Sequence, residues 1–162
     1  MIDPRSLPDP LAITPLAASP DADVVLPGSK SITNRALVCA ALAEGRSVLR
    51  GALFADDTEA MLSVLDGLGI ETVVEPDAAT IEVHGCGGRL PGRGAEVSAN
   101  QSGTTARFAV PLAALGGAPV VVDAHPQMRA RPMGDQFGAL RALGVTIDEL
   151  GDVDRLPARI TG

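Results

Sequence analysis

Aromatic side chains are nearly absent from this sequence, because its 162 residues include three Phe and neither Trp nor Tyr. Proteins that bind single-stranded nucleic acid stack the bases on aromatic rings, and nucleic-acid-binding domains carry an excess of positive charge. The formal net charge of this chain is −7. The composition therefore argues against nucleic acid, and against an acidic membrane surface, as a partner.

Cysteine and histidine are also scarce, with two residues of each. Neither the pair Cys39 and Cys86 nor the pair His84 and His125 has the spacing of a metal-binding motif, so we expect no metal and no cofactor. Apolar runs long enough to span a bilayer are missing, and the first residues lack the pattern of a secretory signal peptide. These features predict a cytoplasmic protein with reduced thiols.

Lysine occurs once. Lys30 stands alone among 13 basic residues, and all the others are Arg. The compact ammonium group of lysine is not interchangeable with a guanidinium where a point charge must meet a phosphate or a reacting oxygen. Its position in a glycine- and serine-containing loop makes Lys30 the first candidate for a functional residue.

The motif around Lys30 runs from Leu26 to Leu37 and predicts a strand over 24–27, a turn, and a helix over 31–44. A loop that opens a helix presents free amide groups and the positive end of the helix dipole, which together bind anions. Ser31 and Arg35 are four residues apart and share one helix face. We therefore predict an anion site with Lys30; the alternative is a capped helix with solvated charges. The glycine spacing is not that of a Walker A loop.

The pattern of elements that begins at residue 24 occurs twice. At an offset of 72 residues, Ser31 to Ala36 matches Gly103 to Phe108, and Arg35 matches Arg107. The first unit is predicted to be βαβαββ, with its later elements at 47–51, 56–68, 70–75 and 80–85. The second unit repeats this order at 95–98, 103–115, 119–123, 133–143, 145–149 and 158–161. The fold class is therefore α/β, with two repeated βαβαββ units.

Four segments follow from this repeat. Residues 1–23 are proline-rich and predict an extended lead-in with at most one strand. Residues 24–85 form the first unit, and residues 95–162 form the second. The glycine-rich stretch 86–94 is interpreted as a linker, with a phosphate cradle as the alternative.

Two further candidates lie in the second unit. The polar loop from Asn100 to Thr105 opens a helix at the place equivalent to the Lys30 loop, and a plain helix cap is the alternative. Arg131 precedes Pro132, which disfavours the helical conformation for Arg131 and places Pro132 in the first helical turn. A guanidinium held in this way suits a carboxylate or phosphate, although a solvated loop arginine would look the same.

Three motifs together resemble one family: Leu26 to Leu37, Ser102 to Arg107, and Met128 to Gly134. They are similar to motifs of the 5-enolpyruvylshikimate-3-phosphate synthases (3-phosphoshikimate 1-carboxyvinyltransferases), and the resemblance runs from Val24 to the end. The related UDP-N-acetylglucosamine carboxyvinyltransferases would show a Gly-Ala-Lys-Asn type of loop. The resemblance implies the enolpyruvyl transferase fold, an inside-out α/β arrangement whose first domain holds three βαβαββ units.

The resemblance also implies the ligands, shikimate-3-phosphate and phosphoenolpyruvate, and the reaction, in which a substrate hydroxyl adds to C2 of phosphoenolpyruvate and phosphate then leaves, without a metal. The residues expected to bind shikimate-3-phosphate are Lys30, Ser31 and Arg35. The residues expected to bind phosphoenolpyruvate are Lys30, Gly103 and Arg131, and Lys30 is also the expected catalytic residue. Further candidates are Gln101, Thr104 and Arg107.

Two departures from the family pattern bear on function. Gln101 stands where the family often has Asn. The chain also ends after two units, so we expect the third unit and the second domain, which supplies acid and base carboxylates, to be absent. Three hypotheses remain open: a piece of the synthase that needs its remainder, a non-catalytic fragment or complementing half that binds shikimate-3-phosphate, and an unrelated two-unit anion-binding protein. Uncovered apolar surface would favour self-association.

Overall fold

The computed structural model describes residues 6, 8–12, 14–92 and 94–162. The lead-in predicted over 1–23 lies partly outside these residues, as does Arg93 of the predicted linker. The described part of the lead-in contains no strand. From Lys30 onward the described residues form helices and strands in the order α1 Lys30–Leu42, β1 Glu44–Arg50, α2 Asp56–Gly67, β2 Thr72–Glu75, β3 Thr80–Cys86, β4 Ala95–Ser98, α3 Gly103–Ala113, β5 Val120–Asp123, α4 Pro126–Arg129, α5 Gly134–Ala142, β6 Thr146–Glu149 and β7 Ala158–Thr161.

The strands form two sheets with related topology. The first sheet has the order β1-β3-β2, and both of its pairings are antiparallel. The second has the order β4-β5-β7-β6, in which β5-β7-β6 repeats the antiparallel pattern of the first. The additional strand β4 pairs in parallel with β5. The prediction of an α/β fold with two repeated units is confirmed.

The strand predicted over 24–27 is wrong. These described residues are not paired to a strand, and the side chains of Val24, Val25 and Leu26 are exposed. A strand exists only where its backbone groups have partners. In the second unit the amide of Ala99 donates to the carbonyl of Asp123 over 2.8 Å. Pro27, the last residue of the predicted strand, has no amide hydrogen to donate. The first unit is therefore αβαββ within the described residues.

Several predicted boundaries also shift. The helix predicted over 31–44 begins and ends earlier, and β1 starts at Glu44 instead of residue 47. The short helix α4 was not predicted, and α5 begins at Gly134, so Pro132 precedes its first turn instead of lying in it. Asp56 lies in the first turn of α2, whose N-cap is Ala55. These shifts move element ends by a few residues and leave the order unchanged.

One hydrophobic core runs through both units. Helix α2 contributes the fully buried side chains of Met61 and Leu65 to this core. At its end it lies against β4 of the second unit, where a Cβ atom on Gly67 would be 2.6 Å from Cγ1 of Val97. Because α2 packs against both units, its first turn lies between the beginnings of α1 and α3. This arrangement places the two predicted loops side by side.

Candidate anion site

Equivalent serine caps begin α1 and α3. The Ser29 hydroxyl accepts a long hydrogen bond of 3.5 Å from the Ile32 amide, and the Ser102 hydroxyl accepts one of 3.1 Å from the Thr105 amide. A capping serine satisfies one amide of the first turn and leaves others free. Each helix N-terminus has free amide groups and the positive end of the helix dipole. The two N-termini lie on either side of the first turn of α2.

A cleft of about 380 Å³ lies at these two N-termini. It contains three cationic side chains and one carboxylate, and its lining residues are Lys30, Asp57, Gln101, Gly103, Thr104, Arg107, Met128 and Arg131. Six residues predicted from the sequence are thus brought together, and they come from both units. The excess of positive charge suits a small anionic ligand.

Ser31 and Arg35, both in the described part of the chain, lie outside the lining of this cleft. Both side chains are exposed on α1, and the Arg35 guanidinium donates to the Ser31 carbonyl over 2.9 Å. The arginine does lean back toward the N-terminus of its helix, as expected. A ligand that reached both Lys30 and Arg35 would therefore extend from the cleft along the surface of α1.

The two matched arginines are not equivalent in register. Relative to the capping serines Ser29 and Ser102, Arg35 is one position further along its helix than Arg107. One residue rotates a side chain by about 100° around a helix axis. This rotation accounts for Arg107 lining the cleft while Arg35 does not. The predicted match of Ser31 with Gly103 is also shifted by one residue, because the first residues of the two helices are Lys30 and Gly103.

Arg131 lies against the start of α3 because Gly103 has no side chain. A Cβ atom on Gly103 would be 2.7 Å from Nη1 of Arg131, closer than a carbon and a nitrogen can approach without displacement. The short helix α4 brings the arginine there: Met128 is buried, and its carbonyl accepts from the Arg131 amide over 3.0 Å. The guanidinium is thus positioned over the free amides of α3.

Arg107 forms two hydrogen bonds with neighbouring segments of the second unit. Its Nη2 donates to the Pro132 carbonyl over 3.1 Å. Its own carbonyl would normally accept from the amide four residues on, but that residue is Pro111. Instead Nε2 of Gln136 donates to it over 2.7 Å. Both bonds tie α3 to the segment that carries Arg131, so Arg107 supports the cleft as well as lining it.

Asp57 is a residue of the cleft that the sequence did not indicate. Its Oδ1 accepts from the Ser102 hydroxyl over 2.6 Å, and its Oδ2 lies 3.2 Å from Nζ of Lys30. An acidic residue in the first turn of a helix is common and carries no specific signal. The repeat offers no acidic counterpart either, because the residues 72 to 75 positions later are Arg129, Ala130, Arg131 and Pro132. Only the tertiary packing of α2 between the units reveals the role of this carboxylate.

The local contacts favour the charged form of Asp57. The hydrogen bond from Ser102 lowers the pKa of the Asp57 carboxyl below its usual value, and the ammonium of Lys30 lowers it further, although partial burial acts in the opposite direction. Asp57 is therefore ionised at neutral pH. The cleft holds a carboxylate permanently beside its lysine.

No group of three or more His, Cys, Asp or Glu side chains in the described ranges is arranged to hold a metal ion. Among the same residues, no helix has the length and apolar character needed to cross a membrane.

An apolar groove of about 410 Å³ lies elsewhere, between α1, α3 and α5. Its lining is almost entirely hydrophobic and consists of Val38, Leu42, Phe108, Pro111, Leu112, Ala114, Leu115, Leu140, Leu143 and Val145. Leu143 is 81% exposed at its edge. Exposed apolar patches of this kind are typical of surfaces that contact another protein, a membrane or a ligand.

Sequence comparison finds close relatives over nearly the whole chain. A 3-phosphoshikimate 1-carboxyvinyltransferase of Nostoc sp. (strain PCC 7120 / SAG 25.82 / UTEX 2576) is 44% identical over 154 residues, which are 95% of this chain and 36% of the relative. One of Mycobacterium ulcerans (strain Agy99) is 43% identical over 159 residues, or 96% of this chain and 34% of the relative. The chain thus spans about a third of the length of the curated relatives it matches.

Structure comparison agrees. An EPSP synthase from Acinetobacter baumannii superposes with a TM-score of 0.78 at 26% identity, covering 86% of this chain and 31% of that one. The enolpyruvyl transferase NikO from Streptomyces tendae, at 19% identity and a TM-score of 0.58, shares the fold. The family model for EPSP synthase (3-phosphoshikimate 1-carboxyvinyltransferase) matches residues 18–162. The family model covers most of the chain and the relatives match nearly all of it, so this chain belongs to the EPSP synthase family.

Proposed function

We propose that this chain supplies the substrate-binding cations of a 3-phosphoshikimate 1-carboxyvinyltransferase, which transfers the enolpyruvyl group of phosphoenolpyruvate to the 5-hydroxyl of shikimate-3-phosphate. The observation that carries the proposal is the cleft in which Lys30 and Arg131 converge from different units on two helix N-termini. Such a site would hold an anion between cations that come from both units. The names of the relatives identify which anions to test.

The geometry favours phosphoenolpyruvate at the second loop. Arg131 lies over Gly103 at the start of α3, where a guanidinium and free amides can share a phosphate or carboxylate group. Gln101, Thr104 and Arg107 line the same cleft and offer further polar contacts. Lys30 faces this region from the other unit, so its ammonium can contact both substrates.

Shikimate-3-phosphate is proposed to bind along α1. Ser31 and Arg35 are exposed beside Lys30, outside the cleft, where they leave room for a second anion. Holding two polyanionic substrates in contact requires cations that offset their repulsion, and the resulting proximity is a large part of catalysis. Lys30 lies between the two proposed positions and is therefore the proposed catalytic residue.

The reaction also requires an acid and a base. In the addition, the substrate hydroxyl loses its proton to the base, its oxygen bonds to C2 of phosphoenolpyruvate, and C3 gains a proton from the acid. In the elimination, phosphate leaves C2 as C3 loses a proton. Within the described lining of the cleft, the carboxylate is Asp57, which is ionised and bound to Ser102 and Lys30. Because both oxygens of Asp57 are occupied by these contacts, we assign the proton transfers to groups in the remainder of the synthase. The isolated chain should bind substrates without turnover.

The alternative is a non-catalytic fragment or complementing half that only binds shikimate-3-phosphate. The apolar groove between α1, α3 and α5 favours a partner in either case. The proposed partner is the remainder of the synthase, and self-association through the groove is the alternative. A cytoplasmic location is proposed for the same enzyme. Addition of the remaining chain distinguishes the two functions, because only the enzyme would gain turnover.

The test is calorimetric titration of shikimate-3-phosphate and phosphoenolpyruvate into the chain, with Lys30→Ala as the variant. A matched control is Arg155→Ala, which removes one positive charge from an arginine whose nearest acidic partner, Asp152, is 3.8 Å away at the surface. We expect Lys30→Ala to weaken binding of both ligands at least about tenfold, and Arg155→Ala to leave it unchanged. Equal losses in both variants, or no binding to the unaltered chain, would contradict the proposal.

A further inference from the structure

Asp57 connects the two halves of the anion site. Its carboxylate contacts Ser102, the cap of α3, through one oxygen and Lys30, the first residue of α1, through the other. Its backbone carbonyl accepts from the Thr105 hydroxyl over 3.1 Å and, more weakly, from Nδ2 of Asn34 over 3.4 Å. Asp57 thus makes contacts to both helices that begin at the cleft.

The contacts of Ser102 fix the direction of this carboxylate. The serine side chain is 5% exposed, and its oxygen accepts from the Thr105 amide while its hydrogen is donated to Asp57. Rotation of the serine side chain would therefore break the cap of α3, and rotation of the hydroxyl hydrogen would break the bond to Asp57. A hydrogen bond from a buried hydroxyl to a charged acceptor is among the stronger kinds. The carboxylate is anchored by the second unit although it belongs to the first.

Lys30 depends on this anchored carboxylate for its orientation. Its side chain is 48% exposed and has a flexible four-carbon stem, so an unrestrained ammonium would sample many positions in solvent. The described contacts of its Nζ consist of the bond to Asp57. An ion pair at this level of exposure adds little stability. Its consequence is geometric, because it directs the ammonium toward the loop of the second unit.

We propose that Asp57 is a positioning residue, which holds the ammonium of Lys30 against the second loop so that Lys30 and Arg131 act on the same anion. This inference rests on the proposed function, because it names how the two units share one ligand. A carboxylate in an anion cleft also repels the ligand by its charge. The two effects have opposite signs, and this difference makes the role measurable.

The sign depends on whether Lys30 is present. In the unaltered background, Asp57→Asn removes both the repulsion and the orientation of Lys30, and the loss of orientation dominates. In a Lys30→Met background there is no ammonium to orient, so Asp57→Asn removes only the repulsion. The same substitution should therefore weaken anion binding in the first background and leave it unchanged or strengthen it in the second. A merely structural residue would weaken binding in both.

The experiment is a double-mutant cycle by calorimetry with phosphoenolpyruvate and, separately, inorganic phosphate as probes. Asp56→Asn is the matched control, because it removes the same charge from the same helix turn on an exposed residue. We expect Asp57→Asn to weaken phosphoenolpyruvate binding about fivefold and Asp56→Asn less than twofold. In the Lys30→Met background, Asp57→Asn should cause no loss. A tighter complex in both backgrounds, or an equal loss in both, would overturn the inference.

A ligand-free measurement separates this inference from the proposed function. Amide NMR spectra of Asp57→Asn should show shifts at residues 30–31 and at residues 102–105, whereas Asp56→Asn should shift neither loop. Changes confined to α2 would overturn the inference whatever the ligand does. If both loops shift but the unaltered chain binds neither probe, the proposed function fails while the contact between the loops stands.

Discussion

The two units begin their helices with the same serine cap and obtain a cation at that place in different ways. In the first unit the residue after the cap is Lys30, so the helix itself carries the charge. In the second unit it is Gly103, which leaves space for Arg131 to approach from a neighbouring segment. A repeated backbone thus presents two positive groups from different directions. The two helix ends are therefore complementary, because one carries its own cation and the other has space for a cation from elsewhere.

The largest expected effect is on the free energy of unfolding, and it tests the prediction that the two units share one hydrophobic core. Met61→Ala removes a fully buried side chain from α2, which packs against both units. We expect a loss of about 2–5 kcal/mol in the free energy of unfolding, measured by urea denaturation. Because the core is continuous, probes in either unit should report one transition. Separate transitions for the two units would contradict the shared core.

The next prediction concerns the hydrogen bond that Gln136 donates to the carbonyl of Arg107 in the second unit. Gln136→Ala leaves the Arg107 carbonyl without the donor that replaces the missing amide of Pro111. We expect a loss of about 0.5–1.5 kcal/mol in unfolding free energy, because the bond is exposed and water can replace the lost donor. Pro111→Ala supplies an amide at that place, so Gln136→Ala should cost less in its background. An equal cost in both backgrounds would show that the hydrogen bond is not the cause.

A smaller effect sharpens the contrast between Lys30 and Gly103. Gly103→Ala places a methyl group where Nη1 of Arg131 lies, so the guanidinium must move. We expect phosphoenolpyruvate to bind about tenfold more weakly by calorimetry. Alanine is a better helix former than glycine, so the melting temperature should not fall. Unchanged affinity would mean that Arg131 does not hold this ligand.

The smallest effect follows from a carboxylate that lacks a counterpart in the second unit. The pKa of Asp57 is lowered in the folded chain, mainly by Ser102, so its contribution to stability is present above its unfolded value of about 4 and is lost as pH falls through the lower folded value. Urea denaturation at pH 7 and in steps below pH 4 measures how much unfolding free energy is lost on acidification. This loss should be smaller for Asp57→Asn than for the unaltered chain. The control Asp56→Asn should follow the unaltered chain, and identical slopes for all three would refute this contribution.

Local signals predicted most of the fold. Periodic apolar residues and glycine-ended segments marked the helices and hairpins, and the repeat assigned the second unit by comparison with the first. Lys30 was found because its residue type is unique in the chain, and Arg131 because proline restricts its backbone. Composition and the adjacent residues determine these features, so they can be read from the sequence alone.

Tertiary contacts decided the rest. Residues 24–27 have strand-forming side chains, but a strand also requires a neighbouring strand, and in the described structure these residues pair with none. The one-residue difference in register between Arg35 and Arg107 depends on where each helix is capped, which an alignment of side chains does not fix. Asp57 became part of the site because α2 lies between the units. No local pattern marks a residue whose role comes from two distant loops.

The most direct test of the shared site is an NMR titration of the chain with phosphoenolpyruvate, following the amides of both loops. One ligand held between two helix N-termini should shift Lys30 and Ser31 of the first loop together with Gly103 and Thr104 of the second, with a single dissociation constant. Shifts confined to one loop, or two different dissociation constants, would contradict a common site built from both units.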